Sequence, residues 1–190
     1  MKVLLLNGVN QKEDYSNQIY QIINHHLKTT NHQVKSYDLH QLDIAPCMGC
    51  FGCWFQTPGE CMIDDDGRLV ARELIQNDVV IYFSPVTFGG YSCQLKKAMD
   101  RFIPDIMPFF RIMQHEIHHV PRYKKYPNLI FIGTLPNESP AMEKTFFQLN
   151  NRNALNMNPN LYSQAIFYPQ QTEEEIQSKF TELMKDVERI

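Results

Sequence analysis

No apolar run in this sequence approaches the roughly 20 residues that a membrane-spanning helix needs. No secretory leader is written either: Val3–Leu6 is apolar, but Asn7 and Gly8 end the run well short of a leader's hydrophobic core. There is no basic surplus. Lys and Arg number 18 against 21 Asp and Glu, a formal net charge of −3, which argues against a general nucleic-acid binder. Internal repeats and low-complexity tracts are missing too. Nor are the cysteines spread as a disulfide framework would spread them, since Cys47, Cys50, Cys53 and Cys61 fall within fifteen residues and only Cys93 stands apart. What remains is an ordinary globular composition, 43% hydrophobic and 21% charged over 190 residues. The expectation is one domain over 1–190, in the cytoplasm, with neither membrane nor nucleic acid as a partner.

The order of elements is regular. Lys2–Leu6 reads as a buried strand ending in a turn, and Ser16 is placed to cap the helix striped by Ile19, Ile22, Ile23 and Leu27. Gln33–Leu39 reads as a second strand, and Ala45–Cys61 as a long loop. Asp64, Asp65 and Asp66 suit the N-terminus of a helix carrying Leu69, Val70, Leu74 and Ile75. Asp78–Phe83 is the clearest buried strand, and a helix with Leu95, Met99, Phe102 and Ile103 follows its loop. Asn128–Gly133, Ser139–Leu155 and Leu161–Tyr168 continue as strand, helix, strand. Thr172 with Glu175 forms a capping box for a last helix striped by Ile176, Phe180, Leu183, Val187 and Ile190. Residues 104–127, with four prolines and three histidines, read as an irregular excursion outside the core.

Five alternations of near-continuous apolar strand and amphipathic helix imply an α/β fold with a parallel sheet covered on both faces. Right-handed crossovers then favour a flavodoxin-like three-layer α/β/α sandwich, its five-stranded parallel sheet ordered 2-1-3-4-5. Such folds bind ligands beyond the carboxyl ends of the strands, where the winding reverses. That rule selects the loops Asn7–Asn17 and Ser84–Tyr91, with Gly133–Asn137 as a third wall. The cysteine loop leaves the same edge, so with Trp54 it is expected to lie against the pocket.

Ser84-Pro85-Val86-Thr87-Phe88-Gly89-Gly90-Tyr91-Ser92 is the most informative stretch. Its glycines let backbone approach a flat ligand, and Pro85 stiffens the turn. Here the sequence resembles the flavodoxin-like NAD(P)H-dependent FMN reductases, which end their third strand in a similar Ser-Pro-Val-Tyr-Phe-Gly loop. The resemblance implies FMN as cofactor, NAD(P)H as co-substrate and a quinone, free flavin or other small molecule as electron acceptor. It also implies flavin contacts at Pro85, Val86, Thr87, Phe88 and Gly89. The FMN phosphate would sit at the N-terminus of the first helix, where free N–H groups and the helix dipole favour an anion. That family usually places Gly-Ser, an Arg and a Ser or Thr there. This chain has Gly8-Val9-Asn10-Gln11, then Glu13-Asp14, then Ser16-Asn17-Gln18, with no Arg, leaving Asn10, Ser16, Asn17 and Gln18 as donors. Without a Rossmann glycine fingerprint, FMN is expected rather than FAD.

Cys47-Met-Gly-Cys50-Phe-Gly-Cys53-Trp54, followed by Thr57-Pro58-Gly59-Glu60-Cys61, resembles the compact motif of iron–sulfur flavoproteins. Two-residue gaps let thiolates converge on one small cluster, which would make Cys47, Cys50, Cys53 and Cys61 ligands of a [4Fe–4S] group. A nearly identical stretch also occurs in flavodoxin-like reductases, so a reactive thiol pair and plain loop cysteines stay open as readings. Three functions follow: an FMN-dependent oxidoreductase, an electron-transfer protein with FMN and a cluster, or a binding module without FMN. His115-Glu116-Ile117-His118-His119 matches H-E-x-x-H in letters, but that motif needs a long helix and Val120-Pro121 ends the segment. Phe51, Trp54, Phe88 and Tyr91 could form an aromatic wall, and Cys93 reads as a buried small residue at a helix start. Finally, Phe109, Phe110, Ile112 and Met113 lie outside the regular plan. They would be exposed on a lone subunit, so a homodimer or homotetramer is expected.

Overall fold

The computed structural model describes residues 1–10 and 14–188, Asp14 by its backbone alone; Gln11, Glu13 and Ile190 lie outside the described residues. β1 (Lys2–Asn7), β2 (Gln33–Asp38), β3 (Val79–Pro85), β6 (Asn128–Thr134) and β7 (Tyr162–Phe167) form one parallel sheet ordered β2-β1-β3-β6-β7. This is the expected 2-1-3-4-5 order, with β4 (Ile106–Met113) and β5 (Glu116–Pro121) set outside the sheet as a separate pair. The continuous apolar runs are explained by the two layers of helices. Val3, Leu5, Ile81 and Ile130 meet α1 (Asp14–Thr29) and α6 (Glu173–Glu188) through Ile19, Ile23 and Phe180. Leu4, Leu6, Val80, Tyr82 and Phe131 meet α3 (Asp66–Gln76), α4 (Cys93–Asp100) and α5 (Pro140–Met157) through Leu74, Leu95 and Phe146. A strand buried on both faces has no polar side to show, so it does not alternate. Among the described residues no helix is long and apolar enough to cross a membrane.

The helix starts are chemically explicit. Thr172 and Glu175 exchange the two bonds of a capping box, at 2.9 and 3.3 Å. Asp65 caps α3 by accepting from the Gly67 N–H, and Ser92 caps α4 by accepting from the Leu95 N–H. Ser16 does not cap α1. The helix begins at Asp14, so Ser16 falls within its first turn, fully buried, and shares a 2.7 Å hydrogen bond with the Thr134 hydroxyl on β6. Cys93 is exposed rather than buried, because the first turn of α4 leaves the sheet edge with its apolar side at Leu95 and Ala98.

Two regions are more regular than the sequence alone suggests. The cysteine loop contains a single helical turn, α2 (Gly52–Phe55). Within 104–127, β4 (Ile106–Met113) and β5 (Glu116–Pro121) pair antiparallel. Gln114 and His115 both take positive φ, 49° and 65°, as a two-residue hairpin turn demands, without the Asn-Gly pair that normally announces one. Pro108 falls where the register shifts between Ile106 and Phe110, and Pro121 closes β5, so neither removes a needed N–H. The H-E-x-x-H letters therefore lie on a turn and strand, not on a helix. His118 is bonded to Asn156 and Glu116, and His119 to the Met107 carbonyl.

Candidate functional site

The winding reverses between β1 and β3, and the loops leaving these strands are locked together there. The Gly8 N–H donates to the Phe83 carbonyl at 2.8 Å. Ser84 Oγ accepts from the Ser92 N–H at 2.8 Å, which folds the loop after β3 back onto the start of α4. The Val86 N–H donates to the Thr134 carbonyl, joining the third wall. The tip then closes on itself, with Thr87 and Gly90 exchanging backbone bonds at 3.0 and 2.9 Å. The N–H groups of Phe88 and Gly89 are not used in that exchange. Phe88 holds φ 51°, a strained value for a bulky residue, with its ring 95% exposed. Such a loop offers backbone donors and one aromatic face to a flat ligand.

Of the residues named from sequence, Thr87 and Phe88 are exposed at this tip, while Pro85, Val86 and Gly89 are buried beneath it. Gly89 needs its missing side chain: φ is +79° and a Cβ would stand 2.7 Å from Thr145. In the first loop, Val9 turns into the core beside Ile19, which accounts for an apolar residue where a hydroxyl is usual. Asn10 and Gln18 are exposed. Asn17 lines a hollow of about 200 Å³ with Asn7, Tyr20, Asp38 and His40, on the β2 side of β1. Burial, with Asp38 beside it, pushes the Tyr20 hydroxyl up to about 12.

The cysteine loop is held at its roots by one side chain. Fully buried Arg101 donates to the Ala45 carbonyl at 2.8 Å and to the Ile63 carbonyl at 3.2 Å. It also grips Asp65 with both terminal nitrogens, at 2.7 and 2.8 Å. Burial raises the Asp65 carboxyl, but Arg101 and the Ala45 and Gly67 N–H groups outweigh it and hold the group below its ordinary value. Cys47, Cys50, Cys53 and Cys61 all line one hollow of about 230 Å³. Burial and the neighbouring thiols push Cys53 up to about 11. Among the described residues, no three of His, Cys, Asp or Glu stand close enough to hold a metal ion. Trp54 and Phe51 stack 5.1 Å apart, and the Trp54 indole donates to the Ile103 and Ile106 carbonyls. The aromatic side of the loop is thus fixed to the base of the hairpin.

Two features had no sequence signal. Tyr91 turns inward from the loop after β3; its hydroxyl donates to Asn150 at 2.6 Å and accepts from Asn153 at 2.9 Å, both on α5. Asp105 is 3% exposed, and burial pushes its carboxyl up to about 8 against the opposing charge of Arg122. Both depend on partners distant in the chain.

Comparison with known proteins places these observations. Residues 1–117 match the family described as NADPH-dependent FMN reductase. An iron–sulfur flavoprotein of Methanocaldococcus jannaschii is 42% identical over 62 residues, 33% of this chain and 31% of that protein. Each curated match spans less than half of the relative's own length. Among solved structures, an azoreductase from Bacillus anthracis superposes with a TM-score of 0.69 at 14% identity, covering all of both chains. An NAD(P)H:quinone oxidoreductase from Methanothermobacter marburgensis gives 0.70 at 11% identity, covering 100% of this chain and 98% of that one. At such identities the solved structures establish the fold.

Proposed function

The chain belongs to the NADPH-dependent FMN reductase family, and from that premise we propose that it oxidises NAD(P)H and passes the electrons to a quinone, a flavin or another small acceptor. The observation that carries this reading is the closed tip at Thr87–Gly90, seated where β1 and β3 diverge, with the Phe88 and Gly89 N–H groups uncommitted in its own bonds. FMN, when bound, supplies the redox chemistry by accepting hydride and releasing electrons. The protein's part is to bind, orient and exclude water. Thr87, Phe88 and Gly89 would contact the ring, Pro85 and Val86 would support them from below, and Asn10 with the first turn of α1 would receive the phosphate. Asn17 and Gln18 complete the proposed set of donors. Ser16 would act from beneath, by tying that turn to Thr134.

Protein purified without oxygen, then denatured and chromatographed, should release FMN near one per chain, and the intact protein should oxidise NADPH or NADH with a quinone present. Recovery of FAD, or of no flavin after reconstitution with FMN, would overturn the assignment.

A second reading rests on the four thiols around one hollow and on the relatives' names. As placed, the cysteines do not form a metal site, so no step is routed through a cluster. The proposal is FMN without an obligatory [4Fe–4S] group. Stoichiometric iron and sulfide in the same preparation would instead favour the electron-transfer reading, with Cys47, Cys50, Cys53 and Cys61 as ligands.

The hairpin supports a homodimer or homotetramer. Phe109, Phe110, Ile112 and Ile117 are each more than 60% exposed on it, an apolar grouping that a lone subunit leaves in water. Light scattering at micromolar concentration should give at least twice the mass of one chain, and a monomer would count against the proposal. The cytoplasm is the proposed setting, since the thiols are clustered and unpaired rather than cross-linked.

A further inference from the structure

We infer that Tyr91 is a positioning residue for the flavin, its hydroxyl seating the Thr87–Gly90 tip on α5 at a fixed height. The inference rests on the proposed placement of FMN against that tip. The two ends of the loop are tied at the sheet edge, Val86 to Thr134 and Ser92 to Ser84. Between them, over residues 87–91, Tyr91 alone makes a side-chain hydrogen bond among the described residues. Its hydroxyl donates to Asn150 at 2.6 Å and accepts from Asn153 at 2.9 Å. The Asn150 amide in turn donates to Gln164 on β7 at 3.0 Å, so the anchor reaches the sheet. The rest of the seat comes from the same helix. The Phe146 ring stands edge-on to Tyr91 with centroids 5.6 Å apart, and Thr145 lies close against the Gly89 backbone.

Packing alone would not need the oxygen. A phenylalanine would fill the space of the Tyr91 ring, and an apolar side chain is usual at a fully buried position such as Asn150. Apolar contacts slide, whereas a hydrogen bond weakens steeply once its distance and angle are lost. That difference matters at this loop. Phe88 and Gly89, whose N–H groups face the proposed ligand, hold φ 51° and 79°. A strained backbone persists only where its surroundings over-determine it. The Thr87–Gly90 exchange fixes the shape of the tip, and Tyr91, one residue on, fixes where that shape sits. Buried amides serve this purpose when they are satisfied, and both ends of the Asn150 amide are.

Tyr91→Phe removes both bonds and keeps the ring. The FMN-loaded variant, diluted and followed by the rise of flavin fluorescence, should hold FMN roughly fivefold more weakly than the parent chain, the value of one neutral hydrogen bond. The visible absorption band of bound FMN, recorded at full occupancy, should shift. Asn153→Ala, which removes one bond only, should weaken FMN roughly twofold with a smaller shift of the band. Tyr162→Phe is the control. It removes a 3.2 Å bond to Asn151 at an exposed position of β7 and should leave both readings unchanged. A hydroxyl that only stabilised the fold would lower the urea midpoint and leave affinity and band at the parent values, and that result would overturn the inference. An unchanged band at full occupancy would do so even with weaker binding, because a loop that merely opens more often leaves the bound flavin where it was. Equal weakening in Tyr162→Phe would also count against it. If Tyr91→Phe fails to fold, Asn153→Ala decides, and parental affinity there sinks the inference. A parent chain that takes up no FMN removes the reductase reading together with this one, whereas parental behaviour in Tyr91→Phe removes this one alone.

Discussion

Replacing Gly8 by alanine should weaken FMN binding at least tenfold. A Cβ at this position would stand 2.6 Å from Ser92 Oγ, 2.8 Å from Leu95 Cβ and 3.2 Å from the Phe83 carbonyl. Those atoms are poor at yielding. Ser92 caps α4, its N–H is held by Ser84, and Leu95 is fully buried. Overpacking of this kind costs typically 1–3 kcal/mol. It is relieved by moving apart the loop after β1 and the start of α4, the two sides of the crevice at which we place the flavin. About 1.4 kcal/mol of that cost appearing in binding is already tenfold. Flavin fluorescence titration measures it. Gly49→Ala is the control. Gly49, unlike Gly8, has positive φ, but a Cβ added there would meet no atom within 4 Å, and its loop root is held by Arg101. Equal affinities in Gly8→Ala and the parent chain would refute the placement of the flavin in this crevice.

Asp105→Asn should flatten the pH dependence of stability and leave the variant the more stable protein above pH 8. In the unfolded chain an aspartate titrates near 3.9, whereas burial lifts this carboxyl to about 8 in the fold. Between those values the folded protein binds a proton that the unfolded chain does not. Stability is therefore greatest below about pH 4 and is lost as pH rises through the folded value. The full span corresponds to a loss on the order of 5 kcal/mol. Asparagine, which cannot ionise, escapes it. The Tyr126 hydroxyl binds the backbone carbonyl of Asp105, so that contact survives the change. Urea midpoints at fixed FMN concentration, from pH 4.5 to 8.5, should fall for the parent chain and stay nearly level for the variant. Parallel midpoint curves would show that the carboxyl is ionised throughout.

The sheet order was legible in the sequence because doubly covered strands read as unbroken apolar runs and because crossover handedness leaves few arrangements. The loop after β3 was legible for a related reason: Gly89 and Pro85 are constrained by backbone geometry, which residue type reveals directly. Partnerships across the chain were not. Tyr91 reads from sequence as part of an aromatic wall with Phe51, Trp54 and Phe88, yet Asn150 and Asn153, some sixty residues on, turn it inward. Arg101 stands beside the loop motif, but its partners are Ala45, Ile63 and Asp65. The hairpin was hidden because Gln114-His115 is an unusual pair for a tight turn. Trp54 was expected against the flavin pocket; its indole N–H is satisfied at the hairpin base by two carbonyls that no local pattern predicts.

The grip of Arg101 also bears on how this protein changes over generations. One guanidinium holds both roots of the cysteine loop, so the tip between them is not what keeps those roots together. Substitutions at the exposed tip positions, Cys47, Met48 and Cys50 among them, spare the buried pair beneath. Lineages can therefore exchange the thiols there while inheriting the same sheet and the same crevice. Arg101 itself has no such freedom, since losing it leaves Asp65 as an uncompensated buried charge. The molecule is arranged so that novelty accumulates at the tip and constraint at the root.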